Sequence, residues 1–343
     1  MPVTEPPVVE SSDPDHPTVS ILVAARNEET TIRACLGAIA DLNYPTERVE
    51  VLIGNDQSTD RTGPIVTDFI ADKPNFRLIA ISKSQTNLRG KANVLAQLTR
   101  LARGQYLFFT DADTRVPPDW LTEMSRHLTG NAGIVTGVTL PDGPRLFHTL
   151  QTIDWLYNLT LTHLVSSFGI PVTAMGNNMA VSRTAYDAVG GYESLPFSVV
   201  EDYTLFRAIV GRGFGFRNLL SETVLARTRP VDTLPQFLNQ RKRWMRGATD
   251  LPAWMVASLY VQYLAGPLLL LVGWFVPALA VGLYVLKLFV QTLVISFGLG
   301  RLRQTRLWPY ALLFEVYQLV LGPLSVLHYL APTPIDWKGR KYE

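Results

Sequence analysis

Cysteine is almost absent: Cys35 is the one thiol in 343 residues. A lone thiol cannot close an internal disulfide, so the chain is no disulfide scaffold and suits a reducing compartment. Cys35 itself is expected to be a small core residue on a helix. The five histidines do not cluster, which leaves no His/Cys set for zinc. Charge of one sign is lacking too, the formal net charge being +2, so there is no electrostatic footprint for nucleic acid. Neither Gly-x-x-x-x-Gly-Lys-Ser/Thr nor, after the first strand, Gly-x-Gly-x-x-Gly occurs. A phosphate would therefore be held by metal and side chains, not by a glycine cradle. Residues 1–17 have no basic start and no apolar stretch, so no secretory signal peptide is expected there. Their Pro, Ser and acidic content predicts a disordered tail.

What is present is an alternation of apolar runs and helical patterns. Val19 to Ala25 ends in Arg26-Asn27-Glu28-Glu29, and a helix with Ile32, Leu36 and Ile39 on one face follows. Val49 to Ile53 leads into Gly54-Asn55-Asp56-Gln57-Ser58-Thr59-Asp60. Phe76 to Ile81 is a third strand, Lys91 to Ala102 a helix, and Tyr106 to Thr110 a fourth strand that stops at Asp111-Ala112-Asp113. This spacing predicts an α/β fold with a doubly wound, mostly parallel sheet. Gly133 to Val138 predicts one further strand. Arg145 to Ser167 predicts a long helix, apolar on more than one face, either in the core or against a membrane surface.

Parallel strands would bring Glu28, Asp56, Asp111 and Asp113 to one sheet edge, beyond the carboxyl ends where ligands collect. Carboxylates gathered without a counterion raise one another's pKa, so the cluster needs a cation or hydrogen-bond donors. Mg²⁺ meets that need with one or two carboxylates, water and phosphate oxygens, and Mn²⁺ is the alternative.

Five segments occur in an order that resembles the family-two inverting glycosyltransferases over residues 18 to 250. They are Val23-Ala24-Ala25-Arg26-Asn27-Glu28, Asn55-Asp56-Gln57-Ser58-Thr59-Asp60, Asp111-Ala112-Asp113, Val200-Glu201-Asp202 and Gln240-Arg241-Lys242-Arg243-Trp244. The last is similar to the Gln-x-x-Arg-Trp of the membrane-bound branch, which includes cellulose, chitin and hyaluronan synthases and ceramide glucosyltransferases. Where the family often has Asp-Asp after the second strand, this chain has Asn55-Asp56, so only Asp56 takes the nucleotide-contacting role.

The resemblance implies a Rossmann-like fold of glycosyltransferase A type, a UDP-sugar donor and Mg²⁺ or Mn²⁺. It implies donor contacts from Ala25, Glu28, Asp56, Lys91, Asp111, Gln240 and Arg243, and metal ligation by Asp113 with Asp111. Asp202 would be the general base, because an attacking hydroxyl must lose its proton to a group within hydrogen-bond reach. Glu201 and Trp244 would face the acceptor. Arg243 suits pairing with a departing diphosphate, and the flat Trp244 ring suits stacking on a sugar or acceptor chain. Arg241, Lys242 and Arg246 read as a positive flank of a membrane segment.

Beyond Asp250 the composition changes. Trp254 to Gly300 carries a single charged side chain, Lys287, with Pro277 near the expected turn, and is long enough for about two spans. Leu307 to Leu330, with Glu315, Gln318 and Gly322-Pro323, is a third span or an interfacial element. Basic flanks at Arg301 to Arg306 and at Lys338 to Lys341 favour the cytosolic side. The expected organisation is a tail over 1–17, a nucleotide-sugar half over 18–140, an acceptor half over 141–250 and a membrane region over 251–343. The expected activity is metal-dependent, inverting transfer of a sugar to a lipid-like alcohol at the inner (cytoplasmic) membrane, with the catalytic domain in the cytosol. No apolar segment precedes the first strand, unlike polysaccharide synthases of this branch, so building a polymer is the alternative. A non-catalytic nucleotide-sugar-binding subunit is a further one.

Overall fold

The computed structural model describes residues 16–82, 88–248, 251–337 and 340–342. All but the last two positions of the expected disordered tail lie outside the described residues, as do Asp250, at the expected domain boundary, and Lys338 of the basic tail. In chain order the first half runs β1 (Val19–Ala25), α1 (Ile32–Ala40), β2 (Val49–Asn55), α2 (Thr62–Phe69), β3 (Phe76–Ala80), α3 (Gly90–Leu101), β4 (Tyr106–Asp111), β5 (Thr114–Arg115) and α4 (Trp120–His127). The chain continues with β6 (Ala132–Thr136), β7 (Val138–Pro141), α5 (Leu146–Ser167), β8 (Asn178–Ser182), α6 (Arg183–Ala188), α7 (Glu201–Gly211), β9 (Gly215–Asn218), β10 (Leu225–Thr228) and α8 (Leu234–Ala248).

The main sheet has the order β3-β2-β1-β4-β8-β6-β9. β3, β2, β1 and β4 are parallel, β8 runs antiparallel between β4 and β6, and β9 is parallel to β6. Both faces are covered, and strand side chains alternate between them, so the strands read as unbroken apolar runs. Ile21, Val23, Val51, Ile53 and Phe108 pack with Ile32, Leu36 and Trp120 on one face. Leu22, Leu52, Leu107 and Phe109 pack with Val94, Leu95 and Leu98 of α3 on the other. Cys35 is buried in the first of these layers, as expected of a core residue.

The expected single strand over 133–138 is two. Gly137 separates β6, in the main sheet, from β7, which joins β10 and β5 in a small second sheet. Buried Asn178 forces the break: a Cβ at Gly137 would lie 2.4 Å from its Oδ1. That side chain accepts from Trp120 Nε1 and donates to the carbonyls of Val138 and Val224 at 2.8, 3.0 and 2.9 Å. Its full hydrogen-bonding set locks the two sheets together.

After α8 come α9 (Ala253–Tyr263) and α10 (Ala265–Phe275), which meet at 73°, then α11 (Pro277–Arg301) and α12 (Trp308–Leu330). Two helices, α11 and the stretch Thr305–Leu330, are long and apolar enough to cross a membrane, and a third span exists if the bent pair is one. The charges within them are neutralised locally, as an apolar layer demands. Lys287 of α11 forms an ion pair with Glu315 of α12 and donates to Gln291 Oε1 at 3.0 Å and Gln318 Oε1 at 3.4 Å. α5 lies between this region and the sheet, packing on β7, α11 and α12. Its mixed apolar surface thus has a dual origin.

Candidate active site

The register aligns the ends of three strands. Ala25 pairs with Asn55 and Ala24 with Asp111, so Arg26, Asp56 and the Asp111–Asp113 turn emerge side by side. Antiparallel β8 starts where β4 ends, Thr110 pairing with Asn178, which brings Gly176 and Asn177 to the same edge. The N-termini of α3 and α7 and one face of α8 complete a cavity of about 230 Å³. Its lining includes Ala25, Asp56, Lys91, Asp111, Asp113, Glu201, Asp202, Gln240, Arg243 and Trp244.

Of the residues singled out from sequence, Glu28 alone does not line this cavity. It is 7% exposed and serves the β1–α1 turn. Its backbone N–H donates to Thr62 Oγ1 at 2.7 Å, and its Oε2 accepts from Thr31 Oγ1 at 2.8 Å. An acid at a strand end can cap a turn as readily as it can bind a ligand.

Lys91 is the electrostatic hinge of the site. Its Nζ lies 2.6 Å from Asp111 Oδ1 and 3.1 Å from Glu201 Oε1, joining an acid of β4 to one of α7. Burial works against the ammonium, but Asp111, then Glu201 and Asp202, outweigh it, so the Lys91 pKa is raised and the residue stays charged. For Glu201, burial pushes the carboxyl up, Lys91 opposes and Asp202 adds to the rise. Asp202 is held by backbone donors: Gly176 N–H to Oδ2 and Tyr203 N–H to Oδ1, both at 2.8 Å. A Cβ at position 176 would lie 2.7 Å from this carboxylate, so glycine lets the loop approach it. Two accepted bonds leave the carboxylate lone pairs to take a proton.

The α8 motif splits between two faces. Gln240, Arg243 and Trp244 line the cavity. Arg241 and Lys242, expected as part of a positive flank of a membrane segment, are only 3% and 6% exposed and make specific buried contacts; Arg246 alone of the three is exposed. Arg241 forms a buried ion pair with Asp154 of α5, which also accepts from Asn158 at 3.0 Å and from Tyr317 of α12 at 3.3 Å. The same guanidinium lies 4.5 Å from the Trp244 ring and 4.8 Å from that of Phe237. Trp155 meets Trp244 edge to face at 5.0 Å. Lys242 Nζ caps the end of α12, donating to Ala331 O at 2.6 Å and Thr333 Oγ1 at 2.7 Å. The cavity-facing tryptophan is thereby tied to α5 and, through Asp154, to the membrane region.

Arg26 and Arg229 also line the cavity and were not singled out from sequence. Arg26 donates to the Asp56 carbonyl at 2.7 Å, and Arg229 to Thr30 Oγ1 at 3.3 Å and Asp232 Oδ2 at 3.2 Å. Arg26 stood inside a quoted motif; nothing local marks Arg229. Among the described residues no three His, Cys, Asp or Glu side chains converge on a preformed metal cage. Asp111 and Asp113 fit a cation such as Mg²⁺, which takes one or two carboxylates and completes its shell with water and phosphate oxygens.

Comparison with known proteins bears on the family and the fold. A profile described as "Glycosyl transferase family 21" matches residues 5–343. The probable glycosyltransferase YdaM of Bacillus subtilis is 28% identical over 240 residues, 67% of this chain and 55% of that protein. A beta-monoglucosyldiacylglycerol synthase of a Nostoc species is 28% identical over 236 residues, 67% of this chain and 49% of that protein. The chain thus spans about half the length of the curated relatives it matches. A mannosyltransferase from Pyrobaculum calidifontis, solved with GDP-Man and Mn²⁺, shares the fold at a TM-score of 0.56 and 19% identity, covering 92% of this chain and 91% of that one.

Proposed function

The chain belongs to glycosyl transferase family 21, and from that membership we propose that it moves one sugar from a UDP-sugar to a lipid-like alcohol, with inversion. The observation that carries this reading is that Asp56, Asp111, Asp113, Asp202 and Arg243, from distant parts of the chain, line one cavity. Residues 18–140 form the donor half, 141–250 the acceptor half, and 251–343 fix both to the cytoplasmic membrane with the cavity in the cytosol. The relative that is a glucosyldiacylglycerol synthase supports a glycolipid product.

Asp56 accepts from the base or ribose, and Asp113, with Asp111, would hold Mg²⁺ or Mn²⁺. When bound, the cation supplies charge neutralisation for the diphosphate. Arg243, Gln240 and Lys91 donate to the phosphate oxygens, where negative charge grows. The acceptor oxygen attacks the anomeric carbon from the face opposite the diphosphate and Asp202 takes its proton. The bond from carbon to phosphate oxygen breaks, and its electron pair leaves with UDP. Trp244 and Trp155 give the acceptor an apolar wall.

Calorimetry of UDP binding, with and without MgCl₂ or MnCl₂, tests the donor side. Metal is expected to tighten UDP binding to the native protein. Asp113→Ala should remove that gain, a loss of about tenfold or more. Equal metal dependence in the variant would remove Asp113 from the metal site.

A further inference from the structure

The geometry points to the strap at residues 168–171 as a lip that dips into the lipid interface beside the acceptor side of the cavity. Phe168 is 82% exposed, more than any other large apolar side chain described ahead of α9, and Ile170 next to it is also exposed. An isolated exposed phenylalanine carries little meaning. This one is presented by ordered backbone: Phe168 N–H donates to Val165 O and Gly169 N–H to Ser166 O, and Gly169 has φ +78°. That is how a helix ends in a glycine cap.

The segments that flank the strap, the last turns of α5 and residue 173, are both tied to one residue, Asn218. Its carbonyl bonds His163 Nδ1 at 2.7 Å, and its amide donates to Thr173 O at 3.0 Å. Two residues on, Leu220 O accepts from Arg301, the last residue of α11. On α5, Leu156 and Thr160 pack against Gly298, one turn before that end. The strap therefore stands beside the end of an apolar helix long enough to cross the membrane. In the other direction it leads through Met175 to Gly176, whose N–H holds Asp202. Exposed Phe197 stands on the loop that leads into Val200 and Glu201 of the cavity lining.

The occupant of this apolar lip is the bilayer, because α5 and Asn218, which hold the strap, also hold the end of α11 through Gly298 and, two residues on, through Leu220 and Arg301. Aromatic and aliphatic side chains gain by leaving water at such a boundary. That it receives an acceptor rests on the lipid-transferase reading; that it contacts lipid does not.

A thiol-reactive, environment-sensitive fluorophore on Phe168→Cys, in a Cys35→Ala background, reads the contact without turnover. In phosphatidylcholine/phosphatidylglycerol nanodiscs its emission should shift to the blue and be quenched by nitroxide-bearing lipids. A label at exposed Glu47→Cys should show neither effect. A water-like, unquenched signal at 168 would overturn the lip, as would a shift in detergent that grows with protein concentration, which would mean a second copy covers it. For the acceptor route, Phe168→Asp should raise KM for a bilayer-embedded acceptor about tenfold at unchanged kcat, on the scale of a lost aromatic burial. KM for a short-chain acceptor in detergent should not change. An unchanged bilayer KM would sink the route while leaving the transferase reading in place.

Discussion

Asp202→Asn should lower kcat for sugar transfer by about 10²–10⁴-fold, the range that a positioned general base supplies. The amide keeps the shape, and its single oxygen can still accept from one of the two N–H groups, those of Gly176 and Tyr203, that the carboxylate engages, so one backbone bond is lost while the fold and the donor pocket should persist. UDP affinity is expected to stay near native, because the proposed role puts the carboxylate on the acceptor side. Transfer and UDP binding measured on one preparation decide the matter. Activity above a tenth of native would mean that another group takes the proton, Glu201 being the nearest candidate. That carboxyl is already engaged by Lys91 at 3.1 Å, which favours Asp202 for the proposed role of base.

Asp154→Ala should cost about 3–5 kcal/mol of stability, the usual consequence of leaving one charge of a buried ion pair uncompensated. Arg241 would be stranded between α5 and α8, and Tyr317 would lose an acceptor. The measurement is thermal or denaturant unfolding in detergent, with transfer activity on the same samples. Removing both charges, in Asp154→Ala with Arg241→Leu, should restore much of the stability, because the penalty lies in the orphaned charge. Activity should not return in step, since Trp244 loses the guanidinium 4.5 Å from its ring. A loss below about 1 kcal/mol for Asp154→Ala would show that water reaches the pair and that its burial is not the constraint.

The fold was legible wherever one residue type signals its own surroundings. Apolar runs such as Val19 to Ala25 and Tyr106 to Thr110 reveal strands buried on both faces, and the acids at their ends mark the edge where the cavity lies. What failed to show were properties set by partners far along the chain. Arg241 looks like a flank until Asp154, on α5, is placed beside it; Lys242 does so until the end of α12 is. The break at Gly137 depends on Asn178, a residue of another strand. The antiparallel sense of β8 follows from its return between β4 and β6 and not from its composition. That Glu28 engages the turn beside the cavity did not show either, because an acid at a strand end looks the same whether it holds a ligand or a turn.

The most direct test of a donor pocket and a lipid acceptor meeting at one cavity is the product itself. Purified protein is incubated with isotope-labelled UDP-sugars, Mg²⁺ or Mn²⁺, and membranes containing diacylglycerol, ceramide or polyprenyl alcohols, and the extracts are resolved by mass spectrometry. The expected result is a lipid carrying one sugar in inverted anomeric configuration. A ladder of polymerised sugar, or nucleotide binding with no glycosylated product from any donor, would contradict it.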